Sequence, residues 1–209
     1  MGEADIHTVV YSKNVVEFVT VAREYCELIE EVNITPTADN MSKMQKILPL
    51  VYLKAALLPK TEKVLDEELR KYVTELDYNV WQQRWLSALG EYDSYYEVFD
   101  PGIQFGEETV TASISESLMD IYQDLKDFIT TYSLGYEAIM NDALFDCVYH
   151  FEDSWGQRLV NVLRAIHKLV IDEVEYPSGK QNNEENVVKK SIGKDDWVNG
   201  FWNTQSSEE

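Results

Sequence analysis

The stretch Ser113-Ile-Ser-Glu-Ser-Leu-Met-Asp-Ile-Tyr-Gln-Asp-Leu-Lys-Asp-Phe-Ile-Thr-Thr-Tyr132 decides the fold. Ser113 followed three residues later by Glu116 is a helix-opening capping pattern, in which a hydroxyl takes one of the amides a helix start leaves unbonded. Projected at roughly 100° per residue, Ile114, Leu118, Ile121, Leu125, Ile129 and Tyr132 form one apolar face. Glu116, Asp120, Asp124 and Asp127 fall within an arc of roughly 80° on the other side. Carboxylates at this spacing repel one another on a helix, so they need a cation or free hydration. An apolar face turned to a core favours hydration, and the four acids are expected to form a solvated outer face.

The same period runs outward from this segment. Val15, Phe18, Val19, Ala22, Cys26 and Ile29 define an amphipathic first helix, with Glu17, Glu24, Glu27 and Glu31 on its wet side. Asn33-Ile-Thr-Pro36 closes it. Ser42 and Gln45 resemble a capping box ahead of the apolar run Ile47 to Leu58, which is expected at the bundle centre, its start kinked by Pro49 and its end set by Pro59. Val64, Leu65, Leu69, Tyr72 and Val73 suggest a third helix. Thr74 and Asp77 cap a fourth that carries Trp81, Trp85 and Leu89, and Gly90 is placed to close it with a positive φ. Asp100 to Ala112 reads as a loop, and strand signals are nearly absent. Two more helices follow, over 136–149 and 155–172. The expected fold is all-α, a single helical bundle of about six to seven helices over residues 1–176. A polar C-terminal tail, 177–209, ends in the aromatic cluster Trp197, Phe201 and Trp202, expected to dock on the domain or on a partner.

Composition limits the function. Asp plus Glu number 38 against 18 Lys plus Arg, a net charge of -20 that repels nucleic acid and anionic lipid. Cys26 and Cys147 lack redox or zinc spacing, the longest apolar run is too short to span a bilayer, and no secretory signal pattern opens the chain. The expectation is a cytoplasmic protein with no membrane or nucleic-acid partner.

No nucleophile elbow and no phosphate-binding glycine loop occurs, and no cofactor is implied. One alternative is a metal-dependent hydrolase of small phosphorylated compounds, with ligands drawn from Asp120, Asp124, Asp142, Asp146 and His150, because i+4 spacing stacks side chains on one helix face. A second is a small-ligand pocket lined by Trp81, Trp85, Tyr95 and Trp155. The helix at 155–172 is the basic element of an acidic chain: Arg158, Arg164, His167 and Lys168 surround its apolar stripe, and Arg164 with His167 is a candidate anion contact. Tyr95, Tyr96 and Phe99, with Trp197 and Trp202, are candidate binding aromatics. Together these favour a non-enzymatic protein acting through protein–protein interaction, its acidic face suited to a partner carrying basic groups. Oligomeric state is not set by these features.

These stretches carry a family resemblance: Ile47-Leu-Pro-Leu-Val-Tyr-Leu-Lys54; Ser113-Ile-Ser-Glu-Ser-Leu118 with Asp120-Ile-Tyr-Gln-Asp-Leu-Lys126; Met140-Asn-Asp-Ala-Leu144; and Trp155-Gly-Gln-Arg-Leu-Val-Asn161 with Leu163-Arg-Ala165 and His167. In this order they resemble the bacterial domain of unknown function 5063 family over roughly Lys13 to Asp172. The resemblance implies an all-helical cytoplasmic protein and brings no activity, cofactor or catalytic residue with it.

Overall fold

The computed structural model describes residues 3–31, 38–97 and 110–177. The chain divides into two units, Met1–Pro177 and Ser178–Glu209, and all described residues lie in the first. Seven α-helices are described: α1 (Glu3–Val10), α2 (Lys13–Glu30), α3 (Ala38–Ala56), α4 (Glu75–Leu89), α5 (Ile114–Tyr132), α6 (Glu137–His150) and α7 (Gly156–Ile171). A short antiparallel ribbon, β1 (Ser94–Tyr96) with β2 (Thr111–Ser113), stands between α4 and α5. The all-α bundle expected from the periodicity is the fold.

The quoted segment, α5, is the central helix. It packs against α2, α4, α6 and α7, and its buried positions run nearly all the way round. Ser113 caps it as the pattern predicts, its Oγ accepting the Glu116 N–H at 3.1 Å. The carboxylate that completes the cap comes from Asp93: it accepts from Ser113 Oγ at 2.6 Å and from the Ser115 N–H at 2.8 Å. The acids of α5 do not form a hydrated face. Only Glu116 is exposed; Asp120 and Asp124 are half-buried and Asp127 is 5% exposed. Projection located the apolar stripe correctly but could not show that other segments cover the opposite side as well.

The segment covering it is residues 58–74, where a third helix was expected. It is irregular instead, because its amides are held by two buried carboxylates and not by helical carbonyls. Asp142 on α6 accepts the Val64 and Leu65 N–H groups, each at 2.8 Å, and Asp127 accepts those of Tyr72 at 2.6 Å and Val73 at 3.0 Å. Asn141 adds a bond to the Glu62 carbonyl at 2.8 Å. Lys71 Nζ stands 3.8 Å from the second Asp127 oxygen, beyond hydrogen-bond reach.

Other expectations hold in part. Thr74 and Asp77 form the full capping box of α4, and Gly90 closes it at φ 56°, a conformation that favours glycine. α3 starts at Ala38, so Ser42 lies inside it and caps nothing, and the helix continues through Pro49. The run Ile47 to Leu58 is one-sided and not central: Ile47, Leu48, Val51 and Ala55 are buried while Tyr52, Leu53 and Leu57 are exposed. α6 and α7 are joined by a π turn, Phe151–Trp155, into a helical rod about 50 Å long at 1.5 Å per residue. Cys147 and Trp155, eight residues apart, would sit roughly 80° apart on a regular helix; the residue absorbed by the π turn brings both back into the core face. Gly156 permits this. A Cβ there would collide with the Phe151 carbonyl oxygen and come within 2.9 Å of the Phe151 ring.

Two stability predictions follow from these contacts. Asp142→Ala leaves two amides without their acceptor and is expected to lower unfolding free energy by about 3 kcal/mol. Urea denaturation measures this loss, and trypsin is expected to cut faster at Lys60 and Lys63. Gly156→Ala is expected to cost about 2 kcal/mol by overpacking against Phe151, read in the same titration.

Candidate binding cleft

α7 and the β1–β2 ribbon enclose a cavity of about 610 Å³ whose walls include Tyr92, Tyr95, Tyr96, Ile114, Arg164, His167, Lys168 and Leu169. A shallow, open groove lies between α3 and α7 and is lined by Gln45, Lys46, Pro49, Val160, Leu163, Arg164 and His167. Arg164 and His167 belong to both, so they form the ridge between two mainly apolar hollows. This brings together Tyr95, Tyr96, Arg164 and His167, residues that the sequence singled out separately. Phe99, Trp197 and Trp202 lie outside the described residues.

Each polar group on the ridge has a definite anchor. Arg164 Nη2 donates to the Tyr96 carbonyl at 2.6 Å, which fixes the guanidinium and leaves its other N–H donors for a ligand. His167 Nδ1 lies 2.9 Å from Gln45 Nε2 and accepts from that amide, which places the proton of the neutral ring on Nε2. Lys168 pairs with Asp172 at 2.6 Å. Lys46 is exposed. The Tyr95 hydroxyl lies 3.1 Å from Ser117 Oγ, and burial pushes the phenol above its usual pKa. Tyr96 is 66% exposed and offers an open ring at the rim. At the far edge Tyr176 meets Tyr92 edge-on, centroids 6.0 Å apart.

The sequence missed Tyr92, Ile114, Leu169, Gln45 and Lys46 as members of this site. Tyr92 stands three residues before Tyr95 in the sequence. The others belong to three helices whose approach no local pattern reveals.

Asp120, Asp124, Asp142 and His150, four of the five residues of the metal alternative, are engaged with protein groups. Asp120 accepts from Tyr78 Oη at 2.7 Å and pairs with Arg158. Asp124 binds His150 Nδ1 at 2.8 Å, and burial pushes its carboxyl up against the downward pull of that histidine. Asp142 holds the two backbone amides described above. Asp124, Asp146 and His150 do line one crevice, but its volume is about 20 Å³, room for a single water. Among the described residues no group of three His, Cys, Asp or Glu is placed to hold a metal ion. Trp85 and Trp155, expected around a ligand pocket, are packed fully inside the core, where Trp85 Nε1 reaches the Ile29 carbonyl at 3.4 Å.

A family model described as Domain of unknown function (DUF5063) matches residues 9–172. The chain belongs to this family. A solved structure similar to this DUF5063 chain is the crystal structure of protein BF1032 from Bacteroides fragilis. It is 41% identical, with 83% of this chain and 99% of that one covered, at a TM-score of 0.67. No curated protein matches the chain. No helix among the described residues is long and apolar enough to cross a membrane.

Because Asp120, Asp124 and Asp142 are already occupied by protein donors, adding magnesium or manganese is expected to leave the melting temperature unchanged in a thermal scan. A rise with metal concentration would contradict this assignment of the carboxylates.

Proposed function

We propose that this DUF5063 protein is a non-enzymatic interaction protein that seats a partner protein in the cleft between the β1–β2 ribbon and α7. One observation carries the reading: Arg164, held at the Tyr96 carbonyl, stands between two apolar hollows with its remaining donors unmet among the described residues. Apolar hollows flanking a positioned arginine are the arrangement from which energetically dominant interface contacts are built. The expectation of a basic partner rested on a hydrated acidic face. With Asp120, Asp124 and Asp127 satisfied internally, support moves to the cationic ridge of α7. A cytoplasmic site of action fits Cys26 and Cys147, both buried and unpaired, with thiols that burial pushes well above their usual pKa.

Affinity capture with the full-length chain as bait tests the reading. Arg164→Glu and Tyr96→Ala, both at exposed positions, are expected to keep the wild-type melting temperature and to lose the proteins that the wild type recovers. Recovery unaffected by either substitution, or no protein recovered above a charge-matched control, would overturn it.

A further inference from the structure

We infer that the occupant of the cleft is an extended acidic segment of a partner protein, laid along the outer edge of β1 with its carboxylates on the α7 ridge. This rests on the reading of the cleft as a partner site and adds the partner's chemistry.

The strand edge is the first support. Tyr95 pairs with Ala112, and the Glu97 N–H donates to the Val110 carbonyl at 2.9 Å, so these residues turn their backbone groups towards β2. Alternation along an antiparallel strand turns Ser94 and Tyr96 the other way. The Tyr96 carbonyl is met there by Arg164, which shows that this edge faces α7 across the cleft. Among the described residues β2 is the only strand beside β1. A strand edge that lines a cavity can take a peptide through its main chain, while side chains on alternate positions fill the hollows. Either hollow alone could hold a small molecule. The Ser94 backbone groups and the Tyr96 N–H, which no described residue outside β1 meets, favour an amide chain over a compact anion.

Charge is the second support. Among the described residues Arg164 has no carboxylate partner; its hydrogen bond goes to a neutral carbonyl and leaves most of its fork for a bidentate acid. Lys46 on the α3 side extends the same sign along the groove, while Lys168 on the ribbon side is paired with Asp172, which lines the same cleft. The surrounding molecule carries a net charge of -20, so its long-range field draws basic ligands and repels acidic ones. Acid preference at this cleft would therefore report local contacts against the bulk field.

That opposition makes a peptide selection decisive. A phage-displayed random dodecapeptide library is panned on the immobilised full-length chain, and the winning sequence is made as a fluorescein-labelled peptide. The expected winners are rich in Asp and Glu beside aromatic or β-branched residues. Their affinity is expected to fall about tenfold for Arg164→Glu and measurably for Lys46→Glu. Methylating alternate backbone amides is expected to weaken binding as much, and millimolar free aspartate should not displace the peptide. Winners enriched in Lys and Arg, or without acid enrichment, would overturn the inference. So would affinity indifferent to both charge reversals, or displacement by free aspartate. Lys46→Glu keeps the test open if Arg164→Glu fails to fold. If the captured partner of the preceding section depends on Arg164 while the selected peptides carry no acid excess, this inference falls and the partner-site reading stands.

Discussion

Two buried carboxylates catching backbone amides from a distant, non-helical segment are the constraint on which the rest of the fold depends. A carboxylate cannot be buried beside a core unless its charge is met by donors, and amide pairs meet it at short range without adding a second charge. Asp142 reaches back 77 and 78 residues in sequence and Asp127 reaches back 54 and 55. Residues 58–74 thereby become a strap over α5 and α6. α4 begins where the strap ends, with Thr74 directly following the Val73 amide that Asp127 holds. The position of α4, and with it of the β1–β2 ribbon that follows, is thus tied to the two acids.

α5 is central because it is enclosed on every side by different means. α2 contributes Tyr25, whose hydroxyl donates to the Leu118 carbonyl at 2.7 Å, and Phe18, whose ring packs at a tilt on Phe128 with centroids 5.3 Å apart. The α6–π–α7 rod supplies the opposite wall through Leu144, Trp155, Leu159, Val162 and Ile166. Its π turn keeps both halves of the rod facing α5, and so decides where Arg164 and His167 emerge. The cleft is in this sense a product of core packing: α7 leaves its charged side beside the ribbon because its apolar side is committed to α5 and α3.

Much of this was legible in the sequence, and the failures share a cause. Apolar stripes of period 3.6 located α2, α5, α6 and α7, and the Thr74–Asp77 and Ser113–Glu116 patterns marked two helix starts, because these signals are local. The strap was misread as a helix since Val64, Leu65, Leu69, Tyr72 and Val73 satisfy a helical spacing. Nothing local shows that their amides have better acceptors far along the chain. The acids of α5 were assigned to water for the same reason: an acid on the polar side of one helix is silent about what a remote segment lays over it. At the cleft, Arg164 and His167 stood out as basic groups in an acidic chain, and Tyr95 and Tyr96 as surplus aromatics. Their convergence depends on α7 meeting the ribbon, as does the part played by Gln45 and Lys46.

The structural role of the acids is tested most directly by amide hydrogen exchange at Val64, Leu65, Tyr72 and Val73, read by NMR in the wild type and in Asp127→Ala and Asp142→Ala. The account predicts protection at all four amides approaching that of α5, lost at Val64 and Leu65 in the Asp142 variant and at Tyr72 and Val73 in the Asp127 variant. Exchange at these amides as fast as in an unstructured chain, or protection that survives both substitutions, would contradict it.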